Sequence, residues 1–527
     1  MTTGRRFRGD RTAPLLNFLE FAEETMEYIL GHDFGSSGDK ACIFDREGQF
    51  LAEAYYTYDT SFSSDGGAFQ NSADWWKAMC VSTNEVIEKA GIRASQIAAI
   101  SFGTQGNALL PVGKGGEILR PEAVIWMDSR SVKEAEQIRE RIPEERYYAI
   151  TGNAFEGSMR PSAKLLYMKK HERELLEKTW KLIGAKEFLV LKLTGKFGFT
   201  DYGDASGSCM FDIHTKKYSG EILDAVGIPE YVLPEPRDCA EVVGTVTEEA
   251  ARQTGLCPGT PVVLGTWDNF ACATGAGVRK KGTCVSYLGT AGWLGVDSDI
   301  PLGSEEARLN VVYVGRNEYH NSAHSHAACM SYNWVLDRTC GSFGKGEEKF
   351  AKAGELAGRV PAGSEGVYFI PAMLKGNTFY QAAHLRGSFL GLRPEHHCGH
   401  LIRAAMEGVG YDLMLGVDTF KRRGAPIQGS TIIGGGAKNN LWVQILADMF
   451  GIPMARPANM QHVGAWGAAI IAGVGTGLYS GFEEISGKLE TESRFEPDPS
   501  IHEVYREKLP DIEKIYKCLL RLYSEIG

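Results

Sequence analysis

The chain has 527 residues, of which 43% are hydrophobic and 23% are charged, a composition typical of soluble globular proteins and large enough for more than one core. A formal net charge of -10 argues against sequence-independent binding to nucleic acid, which requires clustered lysine and arginine. The 11 cysteines form no CxxC pair, so we predict neither a disulfide framework nor a zinc site. These features favour a cytoplasmic protein that acts on small molecules.

Residues 1–26 form an N-terminal extension to which we assign no role. They contain several basic residues but lack the sustained apolar segment and the small-residue cleavage site of a signal peptide. No apolar run in the chain approaches the roughly 18–20 residues that span a bilayer, so we expect no membrane association. The folded part of the chain is predicted to start near Met26.

The first informative segment is YILGHDFGSSGDKACIF, in which an apolar strand reaches Asp33 and then turns through glycines and serines. A tight hairpin needs only two central residues, whereas residues 35–38 make a longer turn whose backbone N–H groups could hold an anion. A carboxylate beside an anion is unfavourable unless a cation bridges them. The segment therefore indicates a phosphate group together with a divalent metal ion.

The segments that follow alternate between helices and strands. NSADWWKAMCVSTNEVIEKAGI has apolar residues at helical spacing, and Ser72 is predicted as its N-cap. IAAISFGTQGNALLPV is predicted as a buried strand that breaks at glycines and resumes. This alternation predicts an α/β architecture with a largely parallel or mixed sheet.

A second glycine turn occurs in GTCVSYLGTAGWLGV, where a strand runs into residues 289–292 before another strand begins. Its outline repeats that of the first segment, with Leu288 in the place of the aspartate. Two glycine-turn hairpins, one opening each half, indicate two related lobes that face each other across a cleft. A ligand between the lobes is the natural hypothesis.

The segment PVVLGTWDNFACATGAG places Asp268 between a short strand and a helix rich in small residues. Near a helix N-terminus, backbone N–H groups and the helix dipole favour an ionised carboxylate. Asp268 could be a simple N-cap, since aspartate is a preferred cap residue, or a general base in the cleft. This segment alone leaves both interpretations open.

The segment STIIGGGAKNNLWVQILADMFGIP has three consecutive glycines between a strand and a helix, an arrangement common in nucleotide sites but weak evidence alone. The chain lacks the GxxxxGK[ST] spacing of a P-loop. It also lacks the acidic residue expected about 20 positions after a dinucleotide fingerprint, so an NAD-dependent dehydrogenase is disfavoured. His324 and His326 share a predicted strand face, but no third ligand is evident, and we interpret them as structural.

Taken in order from about Tyr28 to Gly477, these segments resemble the FGGY carbohydrate kinase family, and within it most closely the xylulokinases. The family fold is α/β and consists of two ribonuclease H/actin-like lobes with the active site in the cleft between them. The resemblance implies an N-terminal lobe at 27–280, with the sugar site, and a C-terminal ATP-binding lobe at 281–527. The segments that carry it are GHDFGSSGDKACIFD, PEAVIWMDSR, ITGNAFEG, KEFLVLKLTGKFGFTDYGDASGS, GTWDNFACATGAG, YLGTAGW, AAMEGVGYDL, GGGAKNNLWVQILAD and GAWGAAIIAG.

The resemblance implies phosphorylation of a small sugar, with ATP and Mg²⁺ as cofactors. Asp33 corresponds to the aspartate that helps to hold Mg²⁺, and Asp268 corresponds to the general base on the sugar hydroxyl. Nucleotide binding is assigned to Gly35, Ser36, Ser37, Lys40, Gly289, Thr290, Gly292, Gly434, Gly435, Gly436 and Asn439. Sugar binding is assigned to Thr104, Gln105, Trp126, Asp128 and Asp268, with Arg130 and Asp204 nearby.

Two departures from the family pattern bear on the identity of the sugar. Thr104 and Gln105 stand where xylulokinases carry methionine and histidine, and the segment KGNTFY at 375–380 stands where the family has Gly-Glu-Arg. A glutamine amide can donate to and accept from hydroxyls, so Gln105 still fits a polyol. D-xylulose is therefore the leading candidate among ketopentoses, related ketoses and polyols.

A non-enzymatic member of the same superfamily is the alternative, namely an actin-like ATP-binding sensor or switch without sugar turnover. Both would bind MgATP through Asp33 and the glycine turns, whereas only a kinase needs Asp268. The WDNFACATG context of Asp268 favours the enzyme. As partners we expect a small-molecule sugar, no nucleic acid and no membrane, and we leave a homodimer open.

Overall fold

The computed structural model describes residues 28–155, 157–305, 308–339, 343–344, 346–374, 376–485, 488 and 490–526. The predicted N-terminal extension and Lys375 of the KGNTFY segment lie outside the described residues. Two seven-stranded mixed sheets form the centres of two lobes.

The first lobe is built from residues up to 275. Its strands are β1 (Tyr28–Phe34), β2 (Gly38–Asp45), β3 (Phe50–Thr57), β4 (Ser61–Phe62), β5 (Ala68–Asn71), β6 (Ile97–Thr104), β7 (Leu110–Val112), β8 (Glu122–Val124), β9 (Lys181–Ile183), β10 (Phe199–Asp201), β11 (Phe211–Asp212), β12 (Lys217–Tyr218), β13 (Glu235–Arg237), β14 (Val242–Thr245), β15 (Pro261–Val263) and β16 (Thr266–Trp267). Its helices are α1 (Ser72–Ala90), α2 (Val132–Arg141), α3 (Glu144–Thr151), α4 (Pro161–His171), α5 (Arg173–Lys178), α6 (Ala185–Thr194), α7 (Tyr202–Gly207), α8 (Gly220–Val226), α9 (Glu248–Thr254) and α10 (Asp268–Gly275).

The rest of the chain supplies the second sheet and its covering helices. The strands are β17 (Thr283–Leu288), β18 (Gly292–Ser298), β19 (Asn310–Gly315), β20 (Glu318–Ser325), β21 (Tyr368–Ile370), β22 (Ser388–Leu390), β23 (Gly429–Ile433), β24 (Met454–Pro457) and β25 (Thr491–Phe495). The helices are α11 (Ala328–Thr339), α12 (Glu347–Gly358), α13 (Cys398–Arg422), α14 (Asn440–Phe450), α15 (Val463–Gly475), α16 (Phe482–Ile485) and α17 (Pro499–Ile526).

The two large sheets repeat one plan. The first has the order β14-β15-β6-β1-β2-β3, with β16 beside β6, and the second has the order β19-β20-β18-β17-β23-β24-β25. In the first, β1, β2 and β3 are antiparallel neighbours, while β6 runs parallel to β1 and β15 parallel to β6. In the second, β17, β18 and β20 are antiparallel neighbours, while β23 runs parallel to β17 and β24 parallel to β23. The predicted pair of related lobes is therefore confirmed.

Local signals set the element ends, with one correction. Strand β6 is buried at every position, as expected for a central parallel strand covered on both faces. The predicted N-cap Ser72 is wrong, because the last residue of β5, Asn71, has an extended backbone and its side chain accepts a hydrogen bond from the Ala73 N–H.

Cys398, at the start of α13, is disulfide-bonded, whereas the scattered cysteines predict no disulfide framework.

The chain returns to the first lobe near its end. Helix α15 covers the face of the first sheet, where Ala465, Trp466 and Ile470 pack with Ile29 of β1 and Val263 of β15. The boundary that we expect between 280 and 281 thus separates the two sheets, whereas α15 and α16 lie against the first of them. Three further residues of this contact are Ala469, Tyr479 and Phe482.

Helices α10 and α15 cross at backbone distance. A methyl group on Gly467 of α15 would lie 1.8 Å from the carbonyl oxygen of Ala271, and one on Gly275 of α10 would lie 2.1 Å from the carbonyl oxygen of Val463. Such distances are far inside van der Waals contact, so only glycine fits at either position. The crossing joins the helix that follows β16 to the helix that enters from the second lobe.

A second junction between the lobes lies at the edge strand β19. The Val311 N–H donates to the Gly152 carbonyl (2.8 Å), and the Asn153 side-chain amide donates to the Val311 carbonyl (2.9 Å). The Tyr148 hydroxyl donates to the carbonyl of Leu309, just before the strand (2.7 Å). The segment after α3 therefore occupies the hydrogen-bonding edge that β19 would otherwise expose.

The terminal helix α17 is fixed to the second lobe through a buried carboxylate. Asp412 of α13 is 1% exposed and accepts hydrogen bonds from Ser325 (2.7 Å), Asn377 (2.6 Å) and the Tyr516 hydroxyl of α17 (2.5 Å). Burial raises the pKa of Asp412 to about 6, although these donors oppose the shift. No helix in the described part of the chain is long and apolar enough to cross a membrane.

Replacing Tyr516 with phenylalanine should lower the free energy of unfolding by about 1.5–3 kcal/mol, because a buried carboxylate loses one of its donors. Urea unfolding followed by circular dichroism measures this loss. The control is Tyr231→Phe, at a half-exposed tyrosine (49% exposed), which should change the value by less than about 0.5 kcal/mol. Equal unfolding midpoints for the two variants would contradict the stabilising role of the Asp412 network.

Candidate active site

The predicted Mg²⁺ ligand Asp33 and the predicted general base Asp268 lie at one edge of the first sheet. Asp33 lies near the end of β1, paired in register with Gly103 of β6. Trp267 of β16 pairs with Thr104 of the same strand, so Asp268 follows just beyond it. A methyl group on Gly103 would lie 3.7 Å from the Asp268 Cα. Strand β6, which runs between the two aspartates, therefore has a glycine where it passes Asp268. The sheet therefore brings together residues that are far apart in the sequence.

Asp268 is the first residue of α10 rather than its cap, since Trp267 is the N-cap and makes no side-chain hydrogen bond. One carboxylate oxygen, Oδ1, accepts from the Asn269 N–H (2.7 Å). No other donor in the described ranges contacts this carboxylate. Burial, and then the negative charge of Asp33, raise the pKa of Asp268 to about 7.

Asp33 is placed against the first turn of α15. A methyl group on Gly464 would lie 2.5 Å from its Oδ2 atom, so the helix presents bare backbone to the carboxylate. Burial raises the pKa of Asp33 to about 6, while Lys40 opposes the shift. The Lys40 ammonium itself donates to the Gln461 carbonyl (2.8 Å), and neither aspartate forms an ion pair with a described residue. Two neighbouring carboxylates without a cation match the ligand chemistry of a hard divalent metal.

The first glycine turn is held in shape by its surroundings. The Gly35 N–H donates to the Gly38 carbonyl (3.0 Å), the Ser36 carbonyl accepts from Gln70 (2.8 Å), and the Ser36 hydroxyl accepts from the Trp126 indole (3.1 Å). Trp126 is thereby attached to the turn predicted to bind phosphate. Since the Gly35 N–H is used inside the turn, the N–H groups of Ser36 and Ser37 are the donors that could hold an anion.

The second glycine turn and the three-glycine segment lie together in the other lobe. The Gly289 N–H donates to the Ala291 carbonyl (3.0 Å), which closes the turn between β17 and β18. A methyl group on Gly434 would lie 2.7 Å from the Leu288 carbonyl oxygen, so the three-glycine segment packs on the residue before the turn. Asn439 caps α14 by accepting from the Trp442 N–H (3.2 Å). The predicted nucleotide residues of this lobe are thus adjacent.

The predicted sugar residues divide into two groups. Gln105 is 2% exposed, and its amide nitrogen donates to Gln70 (2.5 Å), while its amide oxygen has no hydrogen-bond partner among the described residues. Thr104 and Gln105 line a cavity of about 60 Å³ together with Asp204. Asp128 accepts from the Arg130 guanidinium (2.8 Å) and the Ala68 N–H (3.2 Å), so its neighbours fix the orientation of its carboxylate.

A second cavity of about 60 Å³ lies beside Asp268, between Trp267 and Asn269, and sequence reasoning missed it. Its wall comes from both lobes, and the residues that line it are Asn153, Arg160, Trp267, Asn269, Phe270, Trp293, Asn310, Val312, His320, Ser322 and His324. The available signal was the alternation of His320, Ser322 and His324 along β20, which places polar groups on one strand face. The sequence analysis groups His324 with His326 instead. In the structure the His324 ring contacts the Asn310 amide (3.2 Å).

The histidine cluster on the second lobe has the wrong tautomers for a metal. Glu365, His396 and His400 have ligand atoms near one another. However, the Nδ1 atoms of both imidazoles accept backbone N–H groups, from Arg393 (2.9 Å) and His397 (3.2 Å). Each neutral ring then carries its proton on Nε2, and His400 can donate it to Glu365 (3.1 Å). The cluster is a helix-capping network.

Comparisons with known proteins agree with this geometry. The N-terminal domain of the FGGY family of carbohydrate kinases matches residues 28–275, and the C-terminal domain of the same family matches residues 284–476. The chain is 27% identical to the xylulose kinase of Bacillus subtilis over 95% of this chain and 97% of the relative.

Solved structures give the same fold. The xylulose kinase from Rhodospirillum rubrum is 26% identical with a TM-score of 0.84, over 94% of this chain and 100% of that one. The gluconate kinase from Lactobacillus acidophilus is 24% identical with a TM-score of 0.86, over 95% of this chain and 99% of that one. The chain belongs to the FGGY family of carbohydrate kinases and is an ATP-dependent sugar kinase.

Proposed function

We propose that this kinase transfers the terminal phosphate of ATP to a hydroxyl of an open-chain ketose or polyol, with D-xylulose as the leading candidate. The observation that carries the proposal is the position of Asp268 at the floor of the cleft, with one oxygen free and a pKa of about 7. A general base works best when its pKa lies near the working pH. An ATP-binding sensor without turnover would not need such a group.

In this mechanism Asp268 accepts the proton of the attacking sugar hydroxyl. The Asn269 N–H fixes one oxygen, so the carboxylate has a defined orientation and the other oxygen faces the substrate. Phosphoryl transfer demands little covalent chemistry from the protein, and most of the rate enhancement comes from positioning and charge neutralisation. The glycine turns of the two lobes would hold the phosphates on either side of the reacting hydroxyl.

Asp33 is the residue that would hold Mg²⁺. Its carboxylate lacks an ion pair among the described residues, and its pKa is raised by burial and by the negative charge of Asp39, so a bound cation would stabilise the ionised form. When bound, Mg²⁺ neutralises negative charge on the ATP phosphates. The bare backbone at Gly464 leaves space for this carboxylate and no side chain that would compete with it.

The sugar would be read by polar groups that line the two small cavities. The buried Gln105 oxygen, which has no partner among the described residues, can accept one sugar hydroxyl, and Asn269 and Trp293 line the second cavity from opposite lobes. The relative from Bacillus subtilis acts on xylulose by its name, whereas the similar structure from Lactobacillus acidophilus is a gluconate kinase. A polar site rejects analogues that leave its groups unpaired, so these contacts decide the preferred sugar.

The direct test is ADP release from MgATP with a panel of pentuloses, hexuloses, deoxyketoses, polyols and sugar acids, with a control without sugar. We expect strong stimulation by one open-chain ketose or polyol.

For that sugar, Gln105→Leu should lower kcat/KM by about 10-fold or more, because a sugar hydroxyl loses its acceptor. Tight MgATP binding without stimulation by any member of the panel would contradict the proposal and favour a sensor.

Replacing Asp268 with asparagine should lower the sugar-dependent rate by about 10²-fold or more, because the general base is lost. MgATP binding, measured by calorimetry, should change little. The matched variant Asp33→Asn should instead weaken Mg²⁺-dependent nucleotide binding itself. Normal turnover by the Asp268 variant, or unchanged MgATP affinity in the Asp33 variant, would contradict the respective assignment.

The pH dependence follows from the same carboxylate. Because the base must be ionised, kcat/KM for the sugar should rise with pH and level off above about 7, the pKa of Asp268. Removing the negative charge of Asp33 lowers that pKa, so residual activity of Asp33→Asn should level off at a lower pH. A profile that stays flat from pH 5.5 to 8 would argue against Asp268 as the base.

A further inference from the structure

Tyr287 lies at the second glycine turn, as the first residue of the YLGTAGW segment, and the sequence assigns it no role. It is the next-to-last residue of β17, paired with Trp293 of β18 and with Ile433 of β23. A methyl group on Gly289 would lie 2.4 Å from the Tyr287 ring and 2.6 Å from its hydroxyl oxygen. The ring therefore lies over the turn, with the hydroxyl beside the Gly289 Cα.

The Tyr287 side chain also packs near helix α10. The ring stacks on Trp293, with centroids 5.6 Å apart and planes 15° apart, and it packs in a cluster that contains Ala273 and Cys272 of α10. Cys272 follows Asp268 by one helical turn and lies on the same helix face. Tyr287 thus contacts the second glycine turn and packs in the same cluster as residues of α10, the helix that starts with Asp268.

The Tyr287 hydroxyl is a donor without an acceptor. Its side chain is half-buried, and no described residue accepts a hydrogen bond from it. Burial raises the pKa of Tyr287, and the charges of Asp268 and Asp33 add to the rise, so the hydroxyl keeps its proton. A lysine or arginine at this place would form an ion pair with the carboxylates, whereas a phenol remains free to bind a ligand oxygen.

We propose that the Tyr287 hydroxyl donates a hydrogen bond to the terminal phosphate of bound ATP and is a further catalytic residue. The inference depends on the proposed function, because it places that phosphate between the second glycine turn and Asp268. The Trp293 stack already fixes the orientation of the hydroxyl. Little free energy is then needed to align it with the phosphate oxygens as negative charge develops on the transferring group. The neutral hydroxyl also adds no positive charge that would lower the basicity of Asp268.

The test compares Tyr287→Phe with the wild-type enzyme. Loss of a hydrogen bond to a charged group should lower kcat by roughly 10- to 100-fold, while the KM for the sugar changes less than about twofold. Binding of a non-hydrolysable ATP analogue should weaken, whereas binding of MgADP, which lacks the terminal phosphate, should not change. The matched control is Tyr479→Phe, which removes a hydroxyl that donates to the Arg46 carbonyl (3.1 Å) away from the cleft. It should leave kcat and both affinities unchanged.

Two outcomes would overturn the inference. Normal kcat and an unchanged preference for the ATP analogue over ADP in Tyr287→Phe would show that the hydroxyl has no phosphate contact. Equal weakening of ADP and analogue binding would show that the tyrosine only shapes the turn. If the phenylalanine variant does not fold, 4-fluorophenylalanine at this position fills the space of the hydroxyl without a donor and gives the same readouts.

Failure of the proposed function gives a different pattern. If no sugar stimulates the wild-type enzyme, kcat cannot be compared, but the ratio of the two nucleotide affinities still tests the contact with the terminal phosphate. Restoration of kcat by 4-aminophenylalanine, which keeps a donor on the ring, would support a donor role over a packing role.

Discussion

The backbone contact between α10 and α15 is the constraint on which the site depends. Gly275 and Gly467 allow each helix to meet a carbonyl of the other, so no side chain separates them. Helix α10 carries Asp268 at its first position, and α15 begins against Asp33. This crossing therefore sets how far each carboxylate lies from α15, the helix that comes from the second lobe. A larger residue at either glycine would push the two helices apart and displace both carboxylates.

The electrostatics of the cleft follow from that placement. The two aspartates share a partly buried floor without an ion-pairing partner among the described residues, and the negative charge of Asp33 raises the cost of ionising Asp268. Such a pair is unfavourable for folding alone, and proteins retain such pairs where function requires them. One of two neighbouring carboxylates can act as a base with a pKa near neutrality, and the other can bind a metal ion. The backbone around them differs, since Asp268 begins a helix and Asp33 lies at the end of a strand against the first turn of α15.

Much of this organisation could be predicted from the sequence, because its signals are local. The glycine turns, the strand before Asp33 and the helix after Asp268 depend on a few adjacent residues, and the repeated hairpin indicated two lobes. The cavity beside Asp268 could not be predicted, because its wall combines Asn153 and Arg160 with strands β19 and β20 and no short motif links them. The return of α15 to the first sheet was missed for the same reason. Ser72 was misassigned as a cap because the strand before it runs directly into the helix, so that the last strand residue, Asn71, is the cap.

The hydrogen bonds between Val311 of β19 and the segment at Gly152 and Asn153 constrain how the lobes move. They belong to a longer seam, in which the Tyr313 N–H donates to the Ser206 hydroxyl (3.1 Å) and the Tyr319 hydroxyl donates to the Ile213 carbonyl (3.2 Å). The edge of the second sheet is therefore tied to the first lobe along both β19 and β20. The cavity lined by Asn153 and Asn310 lies on this seam, so its shape depends on the packing between the lobes as well as on either lobe alone.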